Sequence, residues 1–170
     1  MAAFSSPKNC YNFTVSDKDY LKLAFEQAEK SVDQGGFPAG AVVVKDGKVI
    51  SEGLSLGSLF HDPTSHAETA AIREACKTLK TTNLSGATLY ESLACCTMCF
   101  SVAYWAGISR IVYGCGKTSE MVSKGYYEGR TDKDKLNEEN NRKIELVYLP
   151  YFENESLELI KKWEKLNGIS

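Results

Sequence analysis

A chain of 170 residues, 43% apolar and 25% charged, has the size and balance of a single globular domain with a real core. Its net charge of −2 argues against a tight charge-driven grip on nucleic acid, although 20 Lys and Arg leave room for a local basic patch. No apolar run reaches the length of a membrane span, and the first residues, MAAFSSPKNCYNF, lack the charged start and apolar stretch of a secretory signal. Arg is absent before Arg73, which speaks against a transit peptide, so a cytoplasmic location with no membrane partner is expected. Of the cysteines, Cys10, Cys76, Cys95, Cys96, Cys99 and Cys115, three fall within five residues. That clustering, without a signal peptide, points to metal or redox chemistry before disulfides.

Ser16 with Asp19 reads as a capping box that opens a helix. The helix places Leu21, Ala24, Phe25, Ala28 and Val32 on one stripe and ends at Gly35 and Gly36. Residues 39–45 form a β-branched apolar run. Asp46-Gly47 then signals a tight turn, and residues 48–53 return as the second strand of a hairpin. A polar, Gly-containing loop follows to Thr64. A second helix is predicted over residues 65–79, a third strand over 87–92, a short helix over 96–106 and a fourth strand over 108–113. Residues 115–142 are polar, with one short helix at most. Residues 144–149 read as a fifth strand stopped by Pro150, and 153–166 as an amphipathic helix. Strands alternating with helices after an opening hairpin predict an α/β fold, a three-layer α/β/α sandwich on a five-stranded mixed sheet.

Two helix starts carry chemistry. One is Ser65-His66-Ala67-Glu68; the other is Cys96-Thr97-Met98-Cys99. Cys96 and Cys99 are three apart, so both thiols leave one face of a first turn, and a helix N-terminus favours thiolate. Zinc takes soft, deprotonated ligands of this kind. A structural zinc needs four protein ligands, whereas a catalytic one uses three and keeps a position for water. The chain has two histidines, His61 and His66, and one cysteine pair at metal spacing. The supply is therefore three ligands: His66, Cys96 and Cys99. Glu68, two residues after His66, can reach the fourth position without being a ligand and move protons there. Help of that kind is worth roughly a hundred- to ten-thousand-fold. Each element has a plainer reading. Ser65-x-x-Glu68 also fits a capping box, His66 an ordinary half-buried histidine, and Cys-x-x-Cys a thioredoxin-like redox pair. Their combination favours the catalytic zinc site.

His-x-Glu followed by Pro-Cys-x-x-Cys is the signature of the cytidine and nucleobase deaminase superfamily, and this chain resembles that family. The stretch GGFPAGAVVVKDGKVISEG is similar to the family's first hairpin. HDPTSHAETAAIREA and LYESLACCTMCFSVAYWAGISRIVYG are similar to its two metal helices and their strands. The likeness runs from about Leu21 to Tyr113 and leans toward the guanine deaminase and tRNA adenosine deaminase branch. It implies one deaminase domain over residues 1–170, bound zinc and a homodimer. It also implies substrate contacts from Ser55, Ala67, Ala94 and Trp105. Departures surround the motif. Cys95 stands where the signature has proline. Ala94 stands where purine-acting relatives often carry Glu, which suffices if that position works through its carbonyl. Ser55 replaces an Asn that bonds the base, with a shorter reach. Ala39 replaces an aromatic, with Phe37 nearby. Trp105 suits stacking on a planar ring as well as it suits a core.

The expected reaction is hydrolysis of an exocyclic amino group on a nucleobase-like ring, with a small-molecule substrate such as guanine. A tRNA adenosine deaminase, against which the mild acidity argues, and a cytosine or other aminated-ring deaminase are the alternatives. A thiol redox protein and a non-catalytic zinc-binding domain stand outside the class. Residues 115–142 are expected to close over the pocket, with Glu120 or Tyr126 as contacts.

Overall fold

Residues 16–169 are described by the computed structural model of the chain. Cys10 and the N-terminal stretch weighed as a targeting signal lie outside them. Helix α1 (Asp17–Asp33) opens on the predicted box: the Asp19 carboxylate accepts the Ser16 amide at 2.8 Å, and the Ser16 hydroxyl accepts the Asp19 amide at 3.4 Å. Its buried stripe contains Leu21, Ala24, Ala28 and Val32, joined by Tyr20, Gln27 and Ser31, while Phe25 is half-buried. Strands β1 (Gly40–Lys45) and β2 (Lys48–Leu54) pair antiparallel around Asp46 and Gly47, both at positive φ (50° and 71°), the backbone a two-residue hairpin turn of this hand demands.

The predicted loop that follows contains a four-residue helix, α2 (Gly57–Phe60). Then come α3 (Ala67–Leu79), β3 (Thr88–Glu91), α4 (Thr97–Trp105) and β4 (Arg110–Tyr113). Segment 115–142 holds two short helices where at most one was predicted: α5 (Ser119–Ser123) and α6 (Lys133–Glu139). They are too short for periodicity to reveal. Each is started by a local cap, Thr118 accepting the Met121 amide and Asp132 accepting the Asp134 amide. Strand β5 (Glu145–Tyr148) and helix α7 (Glu153–Leu166) close the chain.

The sheet order is β2-β1-β3-β4-β5; β1 runs antiparallel to both neighbours, and β3, β4 and β5 are parallel. This is the expected five-stranded mixed sheet. Alternation along the strands divides the core. Val42, Tyr90 and Val112 face α1 with Tyr20 and Leu21, whereas Val43, Leu89 and Ile111 face α3 and α4 with Ala71 and Phe100. Helix α7 lies beside α1 through Leu159, Ala28 and Val32. Two glycines let helices approach the sheet closely. A β-carbon at Gly40 would strike the α1 backbone at Gln27 and Ala28, and one at Gly53 the α3 backbone at Ala67 and Ala71. Gly53 thereby seats the start of α3, and with it His66 and Glu68, against the sheet.

Candidate active site

His66 is the N-cap of α3 and Cys96 the N-cap of α4, and neither makes a side-chain cap bond. The two helix starts face each other, so three ligand atoms meet. His66 Nδ1 lies 3.6 Å from Cys96 Sγ and 3.6 Å from Cys99 Sγ, and all three atoms lie within 4.8 Å of one another. Tetrahedral zinc, with Zn–S about 2.3 Å and Zn–N about 2.1 Å, places N and S ligands about 3.6 Å apart. The side chains therefore fit a zinc ion by spacing and by donor type. Cys95 does not belong to the set; its thiol is buried in the core beside α3 and α4.

The metal-free electrostatics suit a cation. Cys99 and His66, both beside the Cys96 sulfur, favour its thiolate and lower the Cys96 pKa to about 4. Cys99 keeps its proton, pushed up by Cys96 and by burial. The bond to Cys96 raises His66, with Glu68 adding to it against burial. Glu68 is buried, and its Oε2 accepts the Cys99 thiol at 3.4 Å; burial raises its pKa. The capping-box reading of Glu68 does not hold. The helix starts one residue later than that box requires, with His66 at the cap, so Glu68 occupies the second helical position and turns its carboxyl to the thiols.

These groups form the floor of a cavity of about 470 Å³ that His66, Glu68 and Cys96 line. Ser55 and Ala94 line it as well. Ser55 is pinned by its backbone: its amide donates to Ser31 Oγ at 3.0 Å and its carbonyl accepts the Phe37 amide at 3.1 Å. The Ala94 carbonyl accepts the Tyr127 hydroxyl at 2.6 Å. Two expected contacts are corrected. Ala67 is fully buried with its methyl in the core, and it does not line the cavity. Trp105 is 83% exposed and neither stacks in the cavity nor joins the core. It ends α4, nine residues beyond Cys96 and so about 13 Å along the axis from the metal end.

The sequence pointed to Phe37 and Tyr126 but not to Tyr127 or to the packing behind them. Phe37, Tyr126 and Tyr127 form an aromatic wall, and His61 lines the cavity without joining the metal set. Trp163 of α7 packs edge-on against Phe37 (5.1 Å between centroids) and Tyr126 (5.6 Å). The Tyr126 hydroxyl donates to Glu164 Oε1 at 2.7 Å, which Lys124 also reaches at 2.9 Å. Segment 115–142 thus reaches the cavity through Tyr126, as expected, but not through Glu120, which pairs with Lys124. Glu128 from the same segment accepts the Thr97 amide at 2.7 Å, supplying the cap that the Cys96 side chain does not. Burial opposes its charge, yet the bonds from Thr97 and Thr131 lower its pKa to about 2. A capping residue 31 positions away leaves no local pattern to read.

Comparison with known proteins agrees with this geometry. The family model of the cytidine and deoxycytidylate deaminase zinc-binding region matches residues 14–115. A guanine deaminase of Bacillus subtilis is 41% identical over 105 residues, 61% of this chain and 67% of that protein. A tRNA-specific adenosine deaminase of Aquifex aeolicus is 37% identical over 94 residues, 55% of this chain and 62% of that protein. The matched stretch therefore spans only about two thirds or less of these relatives. The solved guanine deaminase of Bacillus subtilis superposes with a TM-score of 0.64 at 35% identity, over 88% of this chain and 94% of that one. Five strands in mixed order, a three-donor zinc geometry at two helix starts and a match across residues 14–115 place the chain in the zinc-binding cytidine and deoxycytidylate deaminase family.

Proposed function

We propose that the protein, acting as a single deaminase domain, hydrolyses the exocyclic amino group of a free purine such as guanine and releases ammonia. The observation that carries this reading is the convergence of His66, Cys96 and Cys99 at 3.6 Å with Glu68 beside Cys99, on the floor of a cavity of about 470 Å³. His66, Cys96 and Cys99 would hold the zinc, which would supply a nucleophilic water at neutral pH. Glu68, which lines that floor beside the metal donors, would take one proton from the water and pass it to a ring nitrogen, then take the second from the added hydroxyl and pass it to the departing amine, which leaves as ammonia. Phe37 and Tyr126 offer faces and edges to a planar ring. Ser55 and Ala94 offer one hydroxyl and one carbonyl for its polar edge.

A tRNA-borne adenosine is the second reading, favoured by relatives of similar identity. Among the described residues no Lys or Arg lines the cavity, which suits a neutral base better than a phosphate-bearing strand. The test is an ammonia-release screen over guanine, adenine, cytosine, their nucleosides, pterins, aminotriazines and a tRNA substrate. Release from guanine with none from tRNA supports the proposal; the reverse pattern moves the function to the second reading.

Trp163 supports the aromatic wall from outside. Each aromatic pair is worth about 0.5–1.5 kcal/mol, so Trp163→Leu should raise KM for the active substrate about tenfold with a smaller change in kcat and none in zinc content. An unchanged KM would separate α7 from substrate binding. We read the assembly as a cytoplasmic homodimer. Exposed Leu59, Phe60 and Trp105 support a protein partner, and the free cysteines among the described residues support a reducing compartment. No helix of the described residues is long and apolar enough to cross a membrane.

A further inference from the structure

Glu91 is a carboxyl where the fold gives little reason for one. It ends β3 opposite Ala41 and Tyr113, on the face covered by α3 and α4, and it is 0% exposed. Among the described residues one carboxyl oxygen, Oε1, has no hydrogen-bond partner. Burial and the nearby Glu68 hold the group well above the usual carboxylate range. A buried, half-satisfied carboxyl is costly. Its contact with Cys95 explains its presence: Oε2 accepts the amide of Cys95 at 3.0 Å, with the Cys95 thiol beside the same carboxyl.

Cys95 lies in the irregular turn that delivers Cys96 to the cluster. Both backbone groups of Ala94, the residue before it, are held by distant parts of the chain. The Ala94 amide donates to Cys115 at 2.8 Å and the Ala94 carbonyl accepts Tyr127 at 2.6 Å. Cys95 is buried, so its amide also needs an acceptor. The family signature has proline here, which fixes φ and carries no N–H to satisfy. This chain has the N–H, and it has Glu91 to receive it.

We propose that Glu91 is a positioning residue for the metal centre: its carboxyl fixes the Cys95 amide, and through it the approach of Cys96 to zinc, doing the work of the missing proline. Glu91 and Cys95 are then one unit. Removing the acceptor orphans a buried N–H, removing the N–H orphans a buried carboxyl, and removing both restores a satisfied turn. The inference rests on the zinc reading, and zinc content of the wild-type chain tests that reading first; a chain that holds no zinc overturns both.

The experiment follows the rate of zinc release from the holoprotein to a fluorescent chelator. Glu91→Val should release zinc about tenfold faster, the expected scale for an orphaned buried donor. Glu91→Gln keeps a neutral acceptor and should release zinc close to the wild-type rate. Cys95→Pro alone should release it faster, whereas the double variant, Glu91→Val with Cys95→Pro, should return close to wild type. Should Glu91→Val not fold, recovery of soluble, zinc-loaded protein on adding Cys95→Pro shows the same coupling, and failure to recover overturns it. A wild-type release rate in Glu91→Val, or two effects that simply multiply in the double variant, also overturns the proposal.

Discussion

Glu68→Gln should keep the zinc and the fold while ammonia release falls by at least about a hundredfold. Glu68 is buried against Cys99, and glutamine has nearly its shape, so packing is preserved. Glutamine still accepts a hydrogen bond but cannot take up and deliver a proton. His66, Cys96 and Cys99, the three donors that meet within 4.8 Å, are untouched, so metal content should stay at the wild-type value. Because α3 is capped at His66 and not by a Ser65–Glu68 box, the substitution removes no helix cap. The pair of measurements is zinc per chain and ammonia released from the active substrate. Zinc retained with activity within tenfold of wild type would return Glu68 to a structural role.

Cys99→Ala should strip the metal. Cys99 is fully buried, its sulfur lies 3.6 Å from His66, and among the described residues no other thiol joins the donor set: Cys95 is directed into the core. Two donors do not make the closed side of a three-ligand site, so zinc per chain should fall to about a tenth of wild type or less after a chelator wash. The metal binds the folded chain and stabilises it by mass action, about 4 kcal/mol at a thousandfold excess over Kd. For a chain of this size that corresponds to a thermal midpoint about 10 °C lower in chelator-treated wild-type protein. The variant should melt at one temperature with or without chelator. Cys95→Ala is the control, since it keeps its backbone amide, and it should retain both zinc and the chelator response. A Cys99→Ala variant that holds zinc and a chelator-sensitive midpoint would remove Cys99 from the ligand set.

Much of the fold was legible because its signals are local. The Ser16 box, the Asp46-Gly47 turn and the apolar runs of the strands each act within a few residues, and the elements they predict are present with ends shifted by one or two residues. The metal set was legible for the same reason. His66, Glu68, Cys96 and Cys99 sit at two helix starts, where spacing alone decides which atoms share a face. The short helices α2, α5 and α6 were not, because four to seven residues give no period and depend on what packs over them.

The amino-acid sequence by itself determined that this chain could hold zinc with three donors and place a carboxylate beside it, since those choices are made within single turns of helix. Tertiary structure decided what surrounds that centre. Trp105 read equally as core or stacking residue, but the direction of α4 carries it to solvent, away from the cavity. Phe37, Tyr126 and Trp163 are far apart in the chain, and only the packing of α7 and segment 115–142 on the sheet brings them to one wall. Glu91 reads as one more polar residue on a strand until the alternation of β3 turns it inward, beneath the turn that presents Cys96. A bond within a turn is encoded where it acts; a wall built from three segments exists only once the sheet has gathered them.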